Sequence, residues 1–343
     1  MIEVPVPDRA AREAAQARLD GLVKPLGSLG RLEELAAWLC AAHGSLPPRP
    51  LDDVRVVVFA GDHGVTASGV SAYPREVTAA MVRVFLAGTS GVTVLAKQIG
   101  ARVRVVDIAV DQDLTALPEV PPAVVAHKIR RGSGSIDVED ALAPGEASTA
   151  FDAGRAIADE EIDAGADLLI PGDMGIGNTT VAAALVAAVL GLPAGDVVGT
   201  GTGVDSGGRA RKVAVVEAAL ARAGTGGDPF ALLTKLGSAC AAATAGFLAQ
   251  GAVRGVPVLL DGVFSGAAAL VARELAPGAP QWWLAGHRST EPSQAFALKA
   301  LGLEPILDLG LRLGEGSGAV QAVPVLRSAR AVLTEMSLLS DLG

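Results

Sequence analysis

Several short stretches of this chain carry residue types whose spacing suits chemistry. In Arg312-Leu313-Gly314-Glu315-Gly316-Ser317-Gly318 a single carboxylate sits in a glycine-rich bend with no sequence neighbour able to satisfy it, so Glu315 is expected to be presented to a ligand. Taken alone, the same stretch also fits a surface turn. In Ile170-Pro171-Gly172-Asp173-Met174-Gly175-Ile176-Gly177-Asn178-Thr179-Thr180 an apolar run, a glycine turn and a helical tract follow one another. That order aims free backbone N–H groups and the positive helix end at an anion. The alternative is a tight strand–helix turn capped by Asn178 or Thr179. The dinucleotide fingerprint would need a third glycine, and a Walker A motif would need Gly-Lys-Ser/Thr. Gly199-Thr200-Gly201-Thr202-Gly203 precedes a helical tract carrying Lys212, which is either a point charge for a phosphate or a solvated side chain. Asp62-His63 invites a metal or acid–base role. With four His in the chain, no His-x-x-x-His pair and no clustered Cys, a capping Asp beside a hydrogen-bonded His is the better expectation. Lys128-Ile129-Arg130-Arg131-Gly132-Ser133-Gly134-Ser135 fits a lid or a plain loop, with the loop preferred.

These stretches need a frame, and the apolar pattern supplies one. Val/Ile/Leu-rich runs at 54–59, 103–108, 168–170, 256–260, 282–284 and 306–309 alternate with Ala-rich helical tracts, which predicts a parallel sheet covered on both faces. Right after each run comes a polar group: Asp62-His63, Asp107, Asp173, Asp261, His287 through Glu291, and Glu315. In open parallel sheets the ligand crevice lies at the carboxyl ends of the strands, so all six segments face one rim. Upstream, 8–22 reads as an amphipathic helix. A second, over 29–43, places Leu29, Leu32, Leu35, Ala36 and Leu39 on one face with Ser28 as its N-cap. The Pro-rich Leu46-Pro47-Pro48-Arg49-Pro50 then separates this helical piece from the main domain.

Composition removes whole classes of function. At 343 residues and 50% hydrophobic, the chain can bury one large core or two modest ones. Its net charge of -9 and 28 scattered Lys and Arg leave no basic face for nucleic acid or an anionic membrane. Aromatics at 3% do not suggest base-stacking platforms. Cys40 and Cys240 match no metal or redox spacing and fit structural thiols in a reducing compartment. Residues 1–22 show no apolar core of a signal peptide, so a cytoplasmic protein is expected. Despite a mean hydropathy of +0.43, tracts 181–192 and 236–253 read as buried helices. The first is shorter than the roughly 20 residues a span needs, and the second is broken by Ser238, Thr244 and Gln250.

Taken together, the chain resembles the nicotinate-nucleotide:dimethylbenzimidazole phosphoribosyltransferase family of cobalamin biosynthesis. The matching stretches are Lys24-Pro25-Leu26-Gly27-Ser28-Leu29-Gly30-Arg31-Leu32-Glu33, Ala60-Gly61-Asp62-His63-Gly64-Val65, Gly88-Thr89-Ser90-Gly91-Val92, Gly175-Ile176-Gly177-Asn178-Thr179-Thr180, Leu259-Leu260-Asp261-Gly262 and Arg312 through Ala319. They run in the family's order across nearly the whole chain. The resemblance implies a Rossmann-like α/β domain over 48–317, a small helical domain from 1–47 and 318–343, and a homodimer. It implies transfer of phosphoribosyl from nicotinate mononucleotide to 5,6-dimethylbenzimidazole by one inverting displacement, with no metal or other cofactor. Under it, Glu315 is the general base. Asp173, Gly175, Gly177, Asn178, Thr179, Gly201, Lys212 and Ser289 line the phosphoribosyl pocket, and Tyr73, Met81, Met174 and Leu313 the acceptor-base pocket. Two departures stand out. Asp173 occupies a position where the family carries Glu, keeping the charge but not the reach. The family's Gln near Thr78-Ala79-Ala80-Met81 is absent, so transfer to another base such as a purine or a phenol is an alternative. A dinucleotide oxidoreductase and a non-catalytic benzimidazole-binding protein are the competing classes.

Overall fold

The computed structural model describes residues 1–342; Gly343, the last residue of the expected small domain, lies outside the described residues. The strands are β1 (Val54–Gly61), β2 (Arg102–Ala109), β3 (Leu168–Met174), β4 (Val258–Leu260), β5 (Trp283–His287) and β6 (Pro305–Leu307). The helices are α1 (Arg9–Asp20), α2 (Arg31–His43), α3 (Val77–Leu86), α4 (Gly91–Ile99), α5 (Pro122–Val125), α6 (Glu146–Asp163), α7 (Asn178–Leu190), α8 (Ala194–Val197), α9 (Ser206–Ala223), α10 (Pro229–Leu236), α11 (Ala239–Val253), α12 (Val263–Leu275), α13 (Pro292–Leu301) and α14 (Ser317–Glu335).

All six expected runs are strands of one sheet, ordered β2-β1-β3-β4-β5-β6 and parallel throughout. The order reverses between β1 and β3, which opens a crevice at their carboxyl ends. Near-continuous apolar runs are required because both faces are buried, and side chains alternate between them. Val57, Phe59, Leu169, Val258, Leu260 and Trp283 join one core cluster with α6, α7, α11 and α12. Val56, Val58, Ile170, Leu259 and Leu284 join the other, with α1, α2, α3, α4 and α14. The helices of the two chain ends thus pack onto the sheet and share its core.

Several boundaries differ from expectation, each for a local reason. β3 continues past residue 170, with Pro171 and Asp173 opposite Val57 and Phe59. Leu169 donates its N–H toward β4 at Pro257, and strand alternation turns residue 171 the same way. The β3–β4 ladder pairs only at Leu169, so the donor that Pro171 lacks falls where no acceptor waits. β6 ends at Leu307, leaving Leu309 exposed. Ser28 does not cap α2, whose N-cap is Gly30 with no side-chain bond. Glu33 does the job from inside the helix: it accepts from Leu29 N–H at 3.0 Å and pairs with the buried Lys24 at 2.9 Å. The tracts 181–192 and 236–253 are buried helices as expected, the second divided into α10 and α11 at Ser238, which caps α11. Val77–Ile99 is long and apolar enough to cross a membrane by length and composition alone. It is divided, however, because α3 ends at Leu86 and α4 begins at Gly91.

The crossing of α6 on α11 depends on two glycines. A Cβ on Gly154 would lie 1.8 Å from the Ala243 carbonyl oxygen, and one on Gly246 would lie 1.9 Å from that of Phe151. Gly246→Ala is therefore expected to force the helices apart and destabilise the fold by about 1–3 kcal/mol, the usual cost of overpacking. Urea unfolding measures this, and an unchanged midpoint would show that the crossing has slack.

Candidate active site

At the carboxyl ends of β3 to β6, a cavity of about 70 Å³ is lined by Asp173, Asn178, Thr179, Gly201, Thr202, His287, Ser289, Glu291 and Arg312 with Gly262, Val263, Leu313 and Gly314. It has room for a phosphate-sized group, not for a whole nucleotide. A larger hollow of about 490 Å³, lined by Arg12, Trp38, Gln281 and Glu304 among others, lies at the amino ends of β5 and β6 and holds none of the strand-end residues.

One wall of the cavity suits an anion. The β3 strand delivers the chain into Gly175-Ile176-Gly177, and α7 starts at Asn178 with Gly177 as N-cap and no side-chain cap. Two of its first-turn N–H groups are taken, Asn178 by the Gly175 carbonyl and Thr180 by the Gly177 carbonyl, so that of Thr179, without a partner among the described residues, is left for a ligand. Neither Asn178 nor Thr179 caps the helix. Asn178 donates to the Asp173 carboxylate, and Thr179 Oγ1 accepts from Lys212 Nζ at 2.9 Å. Lys212 is only 1% exposed, so the solvated-lysine alternative is excluded. Burial pushes its pKa down, and the Glu291 carboxylate partly offsets this. Opposite, Gly201 donates its N–H to Glu291 Oε1 at 2.7 Å and its carbonyl accepts from Arg312 Nη1 at 2.7 Å.

Beside the Asp173 and Gly314 side of the cavity lie two further carboxylates, Asp261 and Glu315, neither of which lines it. Gly314, Glu315 and Gly316 all adopt left-handed backbone, with φ of 79°, 65° and 93°. Glu315 is the only non-glycine residue with positive φ among the described residues. Such backbone costs about 1–3 kcal/mol at a non-glycine position and persists only where the surroundings impose it. The imposition is visible. The Glu315 carbonyl would stand 2.2 Å from a Cβ on Gly172, so only glycine at that point of β3 lets the loop lie down. Asp261, at the end of β4, accepts from Gly316 N–H at 3.1 Å and from Ala319 N–H at 2.9 Å. It caps α14 from another part of the chain, since its own N-cap, Gly316, offers no side chain.

Glu315 was expected to be presented; it is instead 5% exposed. Its Oε2 accepts from Val92 N–H, in the first turn of α4, at 3.2 Å. Burial raises its pKa, opposed by the Val92 bond and reinforced by Asp261. Asp173, at the end of β3, is pushed up to about 7 by burial, then by the charge of Asp261, with Asn178 opposing and Glu315 adding. His287, wholly buried, keeps Nε2 at 3.5 Å from Asp261. Burial alone would lower its pKa, but the Asp261 carboxylate outweighs that and raises it. The Asp261 carboxylate thus disfavours ionisation of both Asp173 and Glu315, and Glu315 adds to the effect on Asp173.

The structure unites most of the expected nucleotide residues: Asp173, Asn178, Thr179, Gly201, Lys212 and Ser289 lie in or against the cavity, and Gly175 and Gly177 form the turn before it. The acceptor set is looser. Met81 and Met174 pack on the same core cluster, Leu313 lies at the cavity and is 58% exposed, and Tyr73 is 56% exposed. Elsewhere on the rim the expected roles change. Asp62 does not cap a helix but accepts from Asp111 N–H at 2.8 Å. His63 is not hydrogen-bonded through Nδ1 among the described residues. It packs against Phe264 with ring centroids 6.1 Å apart, and burial pushes its pKa down to about 4. Residues 128–135 are a stitched loop: Lys128 binds Asp107 at 2.7 Å, and Ser133 bridges to His63. Asp261, His287 and Glu291 were expected on the rim and Arg312 in the Glu315 stretch, but none was given a binding or catalytic role. The signal existed, because Asp261 and His287 stand at the ends of apolar runs, Glu291 follows four residues later and Arg312 opens the Glu315 stretch.

A family profile described as Phosphoribosyltransferase matches residues 4–343. A nicotinate-nucleotide–dimethylbenzimidazole phosphoribosyltransferase of Mycolicibacterium paratuberculosis is 57% identical over 340 residues, covering 98% of this chain and 95% of the relative. One from Mycobacterium tuberculosis is 56% identical over 341 residues, covering 99% and 93%. The crystal structure of the Thermus thermophilus enzyme of that name superposes with a TM-score of 0.91 at 43% identity, covering 98% of each chain.

Asp173 makes the site's electrostatics measurable through stability. A carboxyl raised from 3.8 to about 7 holds its proton in the folded chain where the unfolded chain has lost it. Its contribution is therefore fully present below about pH 4 and is lost as pH rises toward 7. Asp173→Asn, which removes the titration, is expected to raise stability relative to the native protein more at pH 8 than at pH 5, by on the order of 1–4 kcal/mol. Denaturant midpoints at the two pH values check this; an equal effect at both would contradict the raised value.

Proposed function

This chain belongs to the nicotinate-nucleotide–dimethylbenzimidazole phosphoribosyltransferase family, and from that premise we propose that it moves phosphoribosyl from nicotinate mononucleotide to 5,6-dimethylbenzimidazole with Glu315 as general base. The observation that carries the reading is the Glu315 carboxylate itself. It is buried, aimed by a left-handed backbone, held at one oxygen by Val92, and joined through Arg312 to the loop that carries Gly201.

The chemistry follows from these positions. The phosphate is bound by Lys212, the Gly175–Gly177 turn and the Thr179 N–H at the start of α7, which turns C1′ of the ribose toward Asp173 and the carboxylates beside it. The acceptor attacks C1′ through the lone pair of its free ring nitrogen. The C1′–N bond to the pyridinium ring breaks, and its electron pair neutralises that ring as nicotinate departs. The acceptor's remaining N–H then gives its proton to Glu315, leaving a neutral product. Entry opposite the leaving group inverts the β-linkage to α. Positive charge develops at C1′ during the displacement, and the neighbouring carboxylates stabilise it.

The missing Gln on α3 and the exposed Tyr73 favour testing acceptor choice directly. Incubation with nicotinate mononucleotide and a panel of benzimidazoles, purines and phenols identifies the ribosylated product, and no nicotinate release with any of them points to a binding protein. Glu315→Gln is expected to lower turnover about 10²–10⁴-fold while the mononucleotide still binds. Because the Glu315 pKa is raised, native turnover should fall on acidification from a pH above the usual glutamate range, and this limb should vanish in the variant. Turnover close to native would remove Glu315 from the mechanism.

A further inference from the structure

Gly201 forms the meeting point of the phosphate wall and the Glu315 loop. Its φ is 53°, and a Cβ there would lie 2.6 Å from Lys212 Nζ and 2.8 Å from Thr179 Oγ1, so the peptide lies directly against the buried ammonium. Glu291 grips its N–H and Arg312 its carbonyl, both at 2.7 Å. Glu291 is the N-cap of α13, yet its side chain makes no cap bond to that helix. Its carboxylate instead reaches across the cavity and also fills the space beside Gly199, where a Cβ would lie 2.5 Å from both oxygens.

The segment that carries Glu291 is rigidly braced. Ser289 donates its N–H to Gln294 Oε1 at 2.6 Å, and Glu291 donates its own N–H to Ser289 Oγ at 3.3 Å. Gln294 Nε2 donates to the carbonyls of Asp261 and His287, at 2.9 and 3.0 Å. One buried amide therefore ties Glu291 to the ends of both β4 and β5. The 199–203 loop is held at Thr200 by the Gly203 and Val204 N–H groups and at Thr202 by Ala72 N–H, while the Gly201 peptide itself is held by Glu291 and Arg312. A buried carboxylate that accepts a backbone N–H from a glycine loop fixes that loop, and removing it leaves the N–H unsatisfied.

We infer that Glu291 is a positioning residue for the mononucleotide, anchoring Gly201 against Lys212 so that the phosphate wall is formed before substrate arrives. The inference rests on the phosphoribosyl transfer proposed above. Glu291 takes no proton and touches no reacting atom in this role. Its loss should act on binding, with the chemical step intact.

The test is steady-state nicotinate release at varied mononucleotide, with mononucleotide binding followed by calorimetry. Glu291→Ala is expected to raise KM and the dissociation constant roughly tenfold to a hundredfold, with kcat within about threefold of native. Glu291→Gln keeps an acceptor for the Gly201 N–H and should recover most of that loss. A Gln variant as poor as the Ala variant, or a fall in kcat with KM unchanged, overturns the inference. If Glu291→Ala does not fold, the Gln variant decides alone: a KM within about fivefold of native supports the role and a larger rise refutes it. Absence of nicotinate release from the native enzyme would instead strike the proposed transfer, which keeps the two failures distinct.

Discussion

The Asp261 carboxylate is the interaction on which the rest of the site depends. It stands at the end of a three-residue strand, is wholly buried, and accepts two N–H groups from the start of α14. A helix whose N-cap is glycine must find acceptors elsewhere, and a carboxylate at a helix start is favoured by the helix dipole as well as by the bonds. Because the cap comes from β4, it fixes the last helix to the centre of the sheet. The three left-handed residues just before that helix then have little freedom, and Glu315 is carried to its place by their backbone.

Close approach does the remaining positioning. Gly172 lets the Glu315 carbonyl lie against β3, and Gly318 lets α14 approach the His287 ring, where a Cβ would stand 2.0 Å away. These contacts press Asp173, Asp261, Glu315 and His287 into one buried group. The cost is electrostatic: burial first, and then the Asp261 charge, favours the protonated carboxyls of Asp173 and Glu315. Such crowding adds nothing to the stability of the ionised fold and is found where a site needs a carboxyl with a raised pKa.

Much of this was legible in the sequence, and the reasons are specific. The parallel sheet could be read because its inner strands are nearly continuous apolar runs, and the rim because a polar residue stands at or after the end of each run. Glu315, Lys212 and the Gly175–Thr180 turn were found through glycine spacing. What could not be read was which rim residues face the cavity. Asp107 and Asp261 look alike in sequence, each following a run of apolar residues. Yet one is taken up by Lys128 and Val110 N–H, while the other caps α14. The difference lies in partners more than 50 residues away for Asp261 and within 21 for Asp107. Burial of Glu315 was hidden for the same reason, because its partner Val92 is 223 residues away.

The two sides together give the cavity a direction. Lys212 and Arg312 stand with the glycine turns, where the Glu291 carboxylate is bonded to the Gly201 N–H, while Asp173 lines the other side with Asp261 and Glu315 beside it. A mononucleotide with a pyridinium base has the opposite polarity, anionic at its phosphate and cationic at its ring. Its charge pattern thus selects an orientation before any contact with the acceptor is made. In the proposed displacement, the pyridinium loses its charge as C1′ gains one, so the acidic side keeps a cation to stabilise through the transition state. The same side accepts the proton at the end. In that proposed reaction, a phosphate held at Lys212 turns the reacting carbon toward Asp173 and the carboxylates beside it.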